Sequence, residues 1–252
     1  MFSLRTSQRV GVPFCRGHGY VSVPVSPLPR EPHHLPSGRH KLSRDEVVAN
    51  QRSRIVEAIA DVSSVVGYAA MSVEDIIATA GISRRSFYDY YSSKEDGFVQ
   101  AYDDISGRVL TAVREAYEEA DGFAARIEAA IAALLQFFAQ NPDYAEMCLV
   151  QVMSAGPDAV ALRDKTLQQL TELIVAAADR ELPKRGRPPE LIAEGIIGGI
   201  YEILYARVIR GRIDQLPDLL PDLAYSALLP YLGAAEAANE QRRLRRRAGR
   251  SA

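Results

Sequence analysis

The stretch from Ser72 to Lys94, SVEDIIATAGISRRSFYDYYSSK, leaves the chain least freedom, because its residues dictate two short helices joined by a tight turn. Ser72 is placed to cap the first helix: its hydroxyl accepts from backbone N–H groups that have no partner inside the helix, and Asp75 completes a capping box. Val73, Ile76, Ile77 and Ala80 recur at helical spacing and give that helix one apolar face. Gly81 supplies the left-handed backbone that ends a helix at little cost. Ile82 is read as buried between the helices, and Ser83 as the cap of a second helix that starts at Arg84. The result is a helix, a three-residue turn and a helix.

The second helix carries the chemistry. Phe87 and Tyr91 sit four apart and are read as core, which leaves Arg84, Arg85, Ser86, Tyr88 and Tyr90 on the remaining surface. Two arginines at a helix N-terminus work against its dipole, an arrangement that makes sense against an external phosphate backbone. Arginine pairs with guanine edges or phosphate, and Ser and Tyr hydroxyls donate to phosphate oxygens. Lys94 adds one more phosphate-directed charge, so the candidate DNA-contacting set is Ser72, Ser83, Arg84, Arg85, Ser86, Tyr88, Tyr90 and Lys94.

At these residues the chain resembles the TetR family of bacterial transcriptional regulators. In AGISRRSFYDYYSSK, Ala80, Gly81, Ser83, Ser86, Tyr88, Tyr90 and Lys94 stand where the family pattern has them, and Tyr91 stands where Phe is commoner. Gly97 departs from the pattern, which usually has Leu at the start of the fourth helix; it is read as a local packing change that leaves the DNA face intact. The resemblance covers about twenty residues in fixed register. It implies an all-α chain, with a three-helix DNA-binding head and a helical body that binds an effector and pairs with a second copy through its last two helices.

The rest of the composition is consistent with that expectation. A chain of 252 residues with 47% hydrophobic content buries a sizeable core and has room for two domains. Cys15 and Cys148 are too far apart in sequence to suggest a disulfide framework or a metal-ligand set, so a reducing cytoplasm is the expected compartment. The hydrophobic run Ile192 to Ile209 is interrupted by Glu194, Glu202 and Arg207, so no membrane segment is expected. A net charge of −2 conceals an asymmetry: residues 1–44 hold seven Lys or Arg and one acid, and residues 234–252 hold six Arg and two acids. Basic tails on an acidic body suit a polyanion, although solvated basic tails also occur in proteins that never meet one.

Four segments follow. Residues 1–42 form a Pro-rich basic extension without helical period, containing His18, His33, His34 and His40 but no adjoining Cys or carboxylate cluster, so neither metal nor cofactor is expected. At its end Arg39, Lys41 and Arg44 are read either as an arm for the adjacent minor groove or as an unbound linker. Residues 43–93 form the head, whose first helix begins at a Ser43–Glu46 capping box and uses Val47, Ile55, Ile59, Val62 and Val66 as its core stripe. Residues 94–233 form the body, and residues 234–252 a basic tail.

In the body the spacing predicts helices over 94–119, 123–140, 143–155 and 158–182, then one running from Pro189 to Gly211, and a last one regular only from Pro221. Phe138, Tyr144, Met147 and Gln151 are the candidate effector contacts, with plain core packing as the alternative for each. Cys148 is read as a small buried hydrophobe. Gly195, Gly198 and Gly199 are expected where another backbone comes close. No Gly-rich phosphate cradle follows a strand, and no histidine lies outside the N-terminal extension to serve as acid or base, so an enzyme is not expected. The expected function is a homodimeric repressor that binds a palindromic DNA operator and is released by a small molecule. A non-specific DNA-coating or protein-interaction module is the alternative.

Overall fold

The first helix, α1, spans Arg44–Val66 and is followed by α2 (Val73–Ala80) and α3 (Arg84–Tyr88), in a computed structural model that describes residues 44–185 and 187–249, with side chains from residue 49. The stop and start signals of α2 and α3 act as their chemistry requires, whereas the Ser43–Glu46 capping box and the Val47 side chain expected for α1 lie outside the described residues. Ser72 Oγ accepts from the Asp75 N–H at 3.2 Å while Asp75 Oδ2 accepts from the Ser72 N–H at 3.0 Å. Gly81 ends α2 at φ +61°, and Ser83 caps α3 by accepting from the Ser86 N–H at 3.0 Å. Ile55, Ile59, Ile76, Phe87, Tyr91 and Phe98 are buried together and hold the three helices onto α4 (Lys94–Glu119). Full burial of side chains this size contributes roughly 1.5–3 kcal/mol each.

Val66 does not join that stripe and is 48% exposed. The last turn of α1 faces the body through Ser64, whose hydroxyl donates to Asp143 Oδ1 at 3.3 Å. Residues two apart on a helix lie nearly opposite, so Val66 is turned to solvent. At Gly97 the departure from the family pattern has a steric cause: a Cβ there would lie 3.3 Å from Phe87 Cζ and 3.4 Å from Ile59 Cδ1.

The body continues with α5 (Phe123–Gln140), α6 (Pro142–Leu149), α7 (Pro157–Glu181), α8 (Glu190–Ile209) and α9 (Leu220–Leu232). No strand occurs among the described residues, so the chain is all-α. The helix expected over 143–155 is two elements, because α6 stops at Leu149 and a 3-10 turn covers Gln151–Ser154. The Tyr201 hydroxyl occupies the Leu149 carbonyl at 2.9 Å, the acceptor a continuing α-helix offers to residue 153. A second 3-10 turn, Ile213–Leu219, precedes α9. Helix α5 is long and apolar enough to cross a membrane by length and composition, the one such helix among the described residues, but it packs against α4 and α9 and buries Arg126 and Glu128.

Residues 234–248 are not a solvated tail. They form α10 (Ala234–Ala248), which packs on α9 with Ala237 and Leu244 buried. Two of its arginines meet the body's acids, Arg243 with Glu128 of α5 and Arg245 with Asp222 of α9, and Arg243 also pairs with Glu240 of α10 itself. Burial pushes the Glu128 carboxyl above its ordinary range, opposed by Arg243. On α8 no other element among the described residues closes on the glycines, since a Cβ at Gly195, Gly198 or Gly199 would meet nothing within 4 Å. Leu191, Ile203 and Ile209 are exposed on the same helix.

Candidate nucleic-acid interface and effector cavity

The head presents α3 to solvent and fixes it from behind. Ser83, Arg84, Arg85 and Tyr88 are exposed and Ser86 half-buried, while Phe87 anchors the helix with no exposure. Arg84 pairs with Glu74 of α2, and its guanidinium lies 5.7 Å from the Tyr88 ring centre. The Arg85 carbonyl accepts from the Asp89 N–H at 2.9 Å, but its exposed guanidinium has no hydrogen bond or ion pair among the described residues. A guanidinium held by a neighbour gives up that partner before it meets a base edge; one already in solvent does not. Of the two candidate arginines, Arg85 is the one whose guanidinium is free of a partner among the described residues.

The remaining candidates flank this surface. Ser72 Oγ also donates to Asp75 Oδ2 at 2.6 Å, and this bond is the main reason that the Asp75 carboxyl sits below its ordinary range. Tyr90 lies beyond the end of α3 and donates to Gln51 Oε1 of α1 at 2.9 Å. Lys94 opens α4, donates to the Tyr68 carbonyl at 3.2 Å and lies 4.5 Å over the Tyr68 ring. Arg39 and Lys41 lie outside the described residues, as do the four histidines; Arg44 begins α1, with its side chain outside the described ones. One contributor has no local sequence signal: Arg54 of α1 donates to the Ala80 carbonyl and, at 3.1 Å, to that of Gly81, fastening the turn between α2 and α3.

In the body a cavity of about 50 Å³ lies among α4, α5, α6, α7 and α8. Its walls include Tyr102, Val109, Leu134, Phe138, Cys148 and Tyr201. A second space of about 40 Å³, bounded by Val113, Tyr117, Ile127 and Ile131, shares Leu134, Leu170, Ile197 and Ile200 with the first. Burial pushes the Cys148 thiol up to about 12 and raises the Tyr102 phenol as well, so the polar groups on the wall are uncharged. Of the four candidate effector residues only Phe138 lines this cavity. Met147 is fully buried core, and Tyr144 stacks on Phe137 with ring centres 6.3 Å apart. Gln151 instead joins body to head: its Oε1 accepts from the Tyr68 N–H at 2.9 Å, and its Nε2 donates to Glu146 Oε1 at 3.1 Å.

Comparison with known proteins follows the same division. Residues 55–100 match the family model of bacterial regulatory proteins, tetR family. The fatty acid degradation regulator FadR from Bacillus halodurans has a similar structure, with a TM-score of 0.64 at 18% identity over 72% of this chain and 95% of that one. FadR from Bacillus subtilis, solved in complex with stearoyl-CoA, gives 0.62 at 18% identity over 72% of this chain and 98% of that one. A TetR-like transcriptional regulator from Rhodococcus sp. RHA1 gives 0.59 at 25% identity over 75% and 98%. No curated protein sequence matches the chain. The matched residues, 55–100, are those that build the DNA-binding domain of such regulators.

Proposed function

We propose that this chain, a regulator carrying a tetR-family DNA-binding domain and the all-α fold of such regulators, is a cytoplasmic homodimeric repressor that binds a palindromic operator and leaves it when a small molecule enters the body. The observation that carries the reading is the exposed α3, held by a buried Phe87 and presenting Arg85 to solvent. Pairing through α8 is supported by its exposed Leu191, Ile203 and Ile209 beside three glycines. A face of that kind lets a second helix come close. Two α3 helices related by symmetry reach successive major grooves about 34–36 Å apart, which calls for half-sites one helical turn apart.

The apolar, uncharged wall suits the apolar part of an effector, in keeping with the stearoyl-CoA bound by the structurally similar Bacillus subtilis protein, and a space of about 50 Å³ must widen to admit one. Release follows if the filled cavity is compatible with only one arrangement of the heads. Selection of bound sequences from random duplex DNA, with salt titrations on the winner and on a scrambled duplex, tests the reading. A two-fold symmetric motif bound at least about a thousandfold better than the scrambled duplex supports it. No motif, with equal salt slopes on both duplexes, leaves a DNA-coating protein instead.

A further inference from the structure

From the way the backbone of one residue is held at both its N–H and its carbonyl, we infer that Gln151 is a positioning residue for DNA binding: by holding Tyr68 it sets Lys94 against the phosphate backbone. The inference rests on the reading of the head as a DNA-binding surface and adds the route by which the body acts on it.

Tyr68 follows the glycine that ends α1, where Gly67 has φ +80°. Its N–H donates to Gln151 Oε1 at 2.9 Å, and its carbonyl accepts from Lys94 Nζ at 3.2 Å. One residue of the head is thus tied by its N–H to the body and by its carbonyl to a lysine expected on phosphate. An ammonium has three donors, so Lys94 keeps Tyr68 while offering another hydrogen to DNA. The Tyr68 ring, buried edge-on against Phe98 at 4.9 Å, stops the segment from adapting freely. Moving Gln151 therefore moves Lys94.

Gln151 is itself tied to the cavity. It begins the 3-10 turn directly after the break in α6, where the Leu149 carbonyl accepts from Tyr201, and Leu149 and Tyr201 both line the cavity wall. An occupant that displaces Tyr201 loosens the segment that carries Gln151. Distance alone does not establish such a route; a non-additive response does.

The test uses the full chain and fluorescence anisotropy on two labelled duplexes, the selected one and a random one, for wild type, Gln151→Met, Lys94→Gln and the double variant. Gln151→Met keeps the volume but removes the acceptor. It is expected to weaken binding about fivefold or more in the wild-type background, within the usual range of coupling between sites, and to change it little once Lys94 is absent. Lys94→Gln should lower the salt slope by about 0.9, the value of one phosphate contact. Gln151→Glu combined with Glu146→Gln keeps an acceptor for the Tyr68 N–H and reverses the donor in the 3.1 Å bond between the two side chains, so this pair should retain most of the affinity. Should Gln151→Met not fold, Gln151→Asn, which draws the acceptor back by one methylene, carries the same expectation. Additive losses from the two sites, or a lowered melting temperature with unchanged DNA affinity, overturn the inference. Wild-type binding to neither duplex would instead defeat the DNA-binding reading itself, so the two failures are distinct.

Discussion

Replacing Gly97 by Leu restores the residue usual in similar regulators, and in this chain it should do harm. The first added carbon already lies 3.3 Å from Phe87 Cζ and 3.4 Å from Ile59 Cδ1, and both of those side chains are fully buried. Phe87 has little room to yield, because Tyr88 and Tyr91 sit against it with ring centres 5.4 and 5.3 Å away. Helix propensity favours the substitution by about 0.8–1.0 kcal/mol. Overpacking costs about 1–3 kcal/mol. The net loss is then up to about 2 kcal/mol, and each kcal/mol lowers the melting temperature by about 2–4 °C for a chain of this size. Phe87 is also the anchor of α3, so DNA affinity should fall beyond the effect on stability. Phe87→Leu in the same chain should recover a good part of both, measured by thermal melts and anisotropy on the selected duplex. Should Gly97→Leu melt at or above the wild-type temperature, with the double variant no better, the idea that Phe87 occupies the missing side chain's space is wrong.

Three other expectations concern single groups. Arg54→Met removes a charged donor from two carbonyls at the end of α2 and should cost about 1.5–3 kcal/mol in urea melts. Burial raises the Glu146 carboxyl, opposed by its bond from Gln151, so its favourable contribution is fully present below the ordinary Glu range and is lost as pH rises through the raised value. Glu146→Gln should accordingly stabilise the chain at neutral pH, with the gain shrinking as melts are repeated toward pH 4; a gain independent of pH would contradict that assignment. Arg85→Ala should relax preference at one symmetric position of the selected motif by about 1–3 kcal/mol, whereas Tyr88→Phe should weaken all sequences alike, as repeated selections would show.

The head was legible because its signals are short-range. The bond between Ser72 and Asp75 spans three residues, and Gly81 and Ser83 need only their own backbone to end one helix and begin another. The ends of α4 and α5 follow from Gly122, Asn141 and Pro142 in the same local way. What escaped depends on partners far along the chain. The break in α6 involves Tyr201, 52 residues away, and Gln151 looked like a pocket residue because nothing nearby announces its bond to Tyr68, 83 residues earlier. Helical spacing shows that Tyr102, Ser106 and Val109 share one face of α4, but not that the face borders an empty space. The arginines of α10 looked like solvated charge because their acids, Glu128 and Asp222, belong to other helices.

That last helix bears on how the protein is made. Arg243 reaches Glu128 across 115 residues, and synthesis at about 5–20 residues per second puts roughly 6–23 seconds between their appearances. Helices α1 to α4 have their shared core in hand well before then. Helix α5, apolar enough to pass for a membrane span, can pack on α4 as soon as it is made, but waits for α9 to cover its other side and for α10 to pair its Glu128 carboxylate. The nascent chain therefore passes through an interval in which every helix of the head has been made while one side of α5 still lacks its cover.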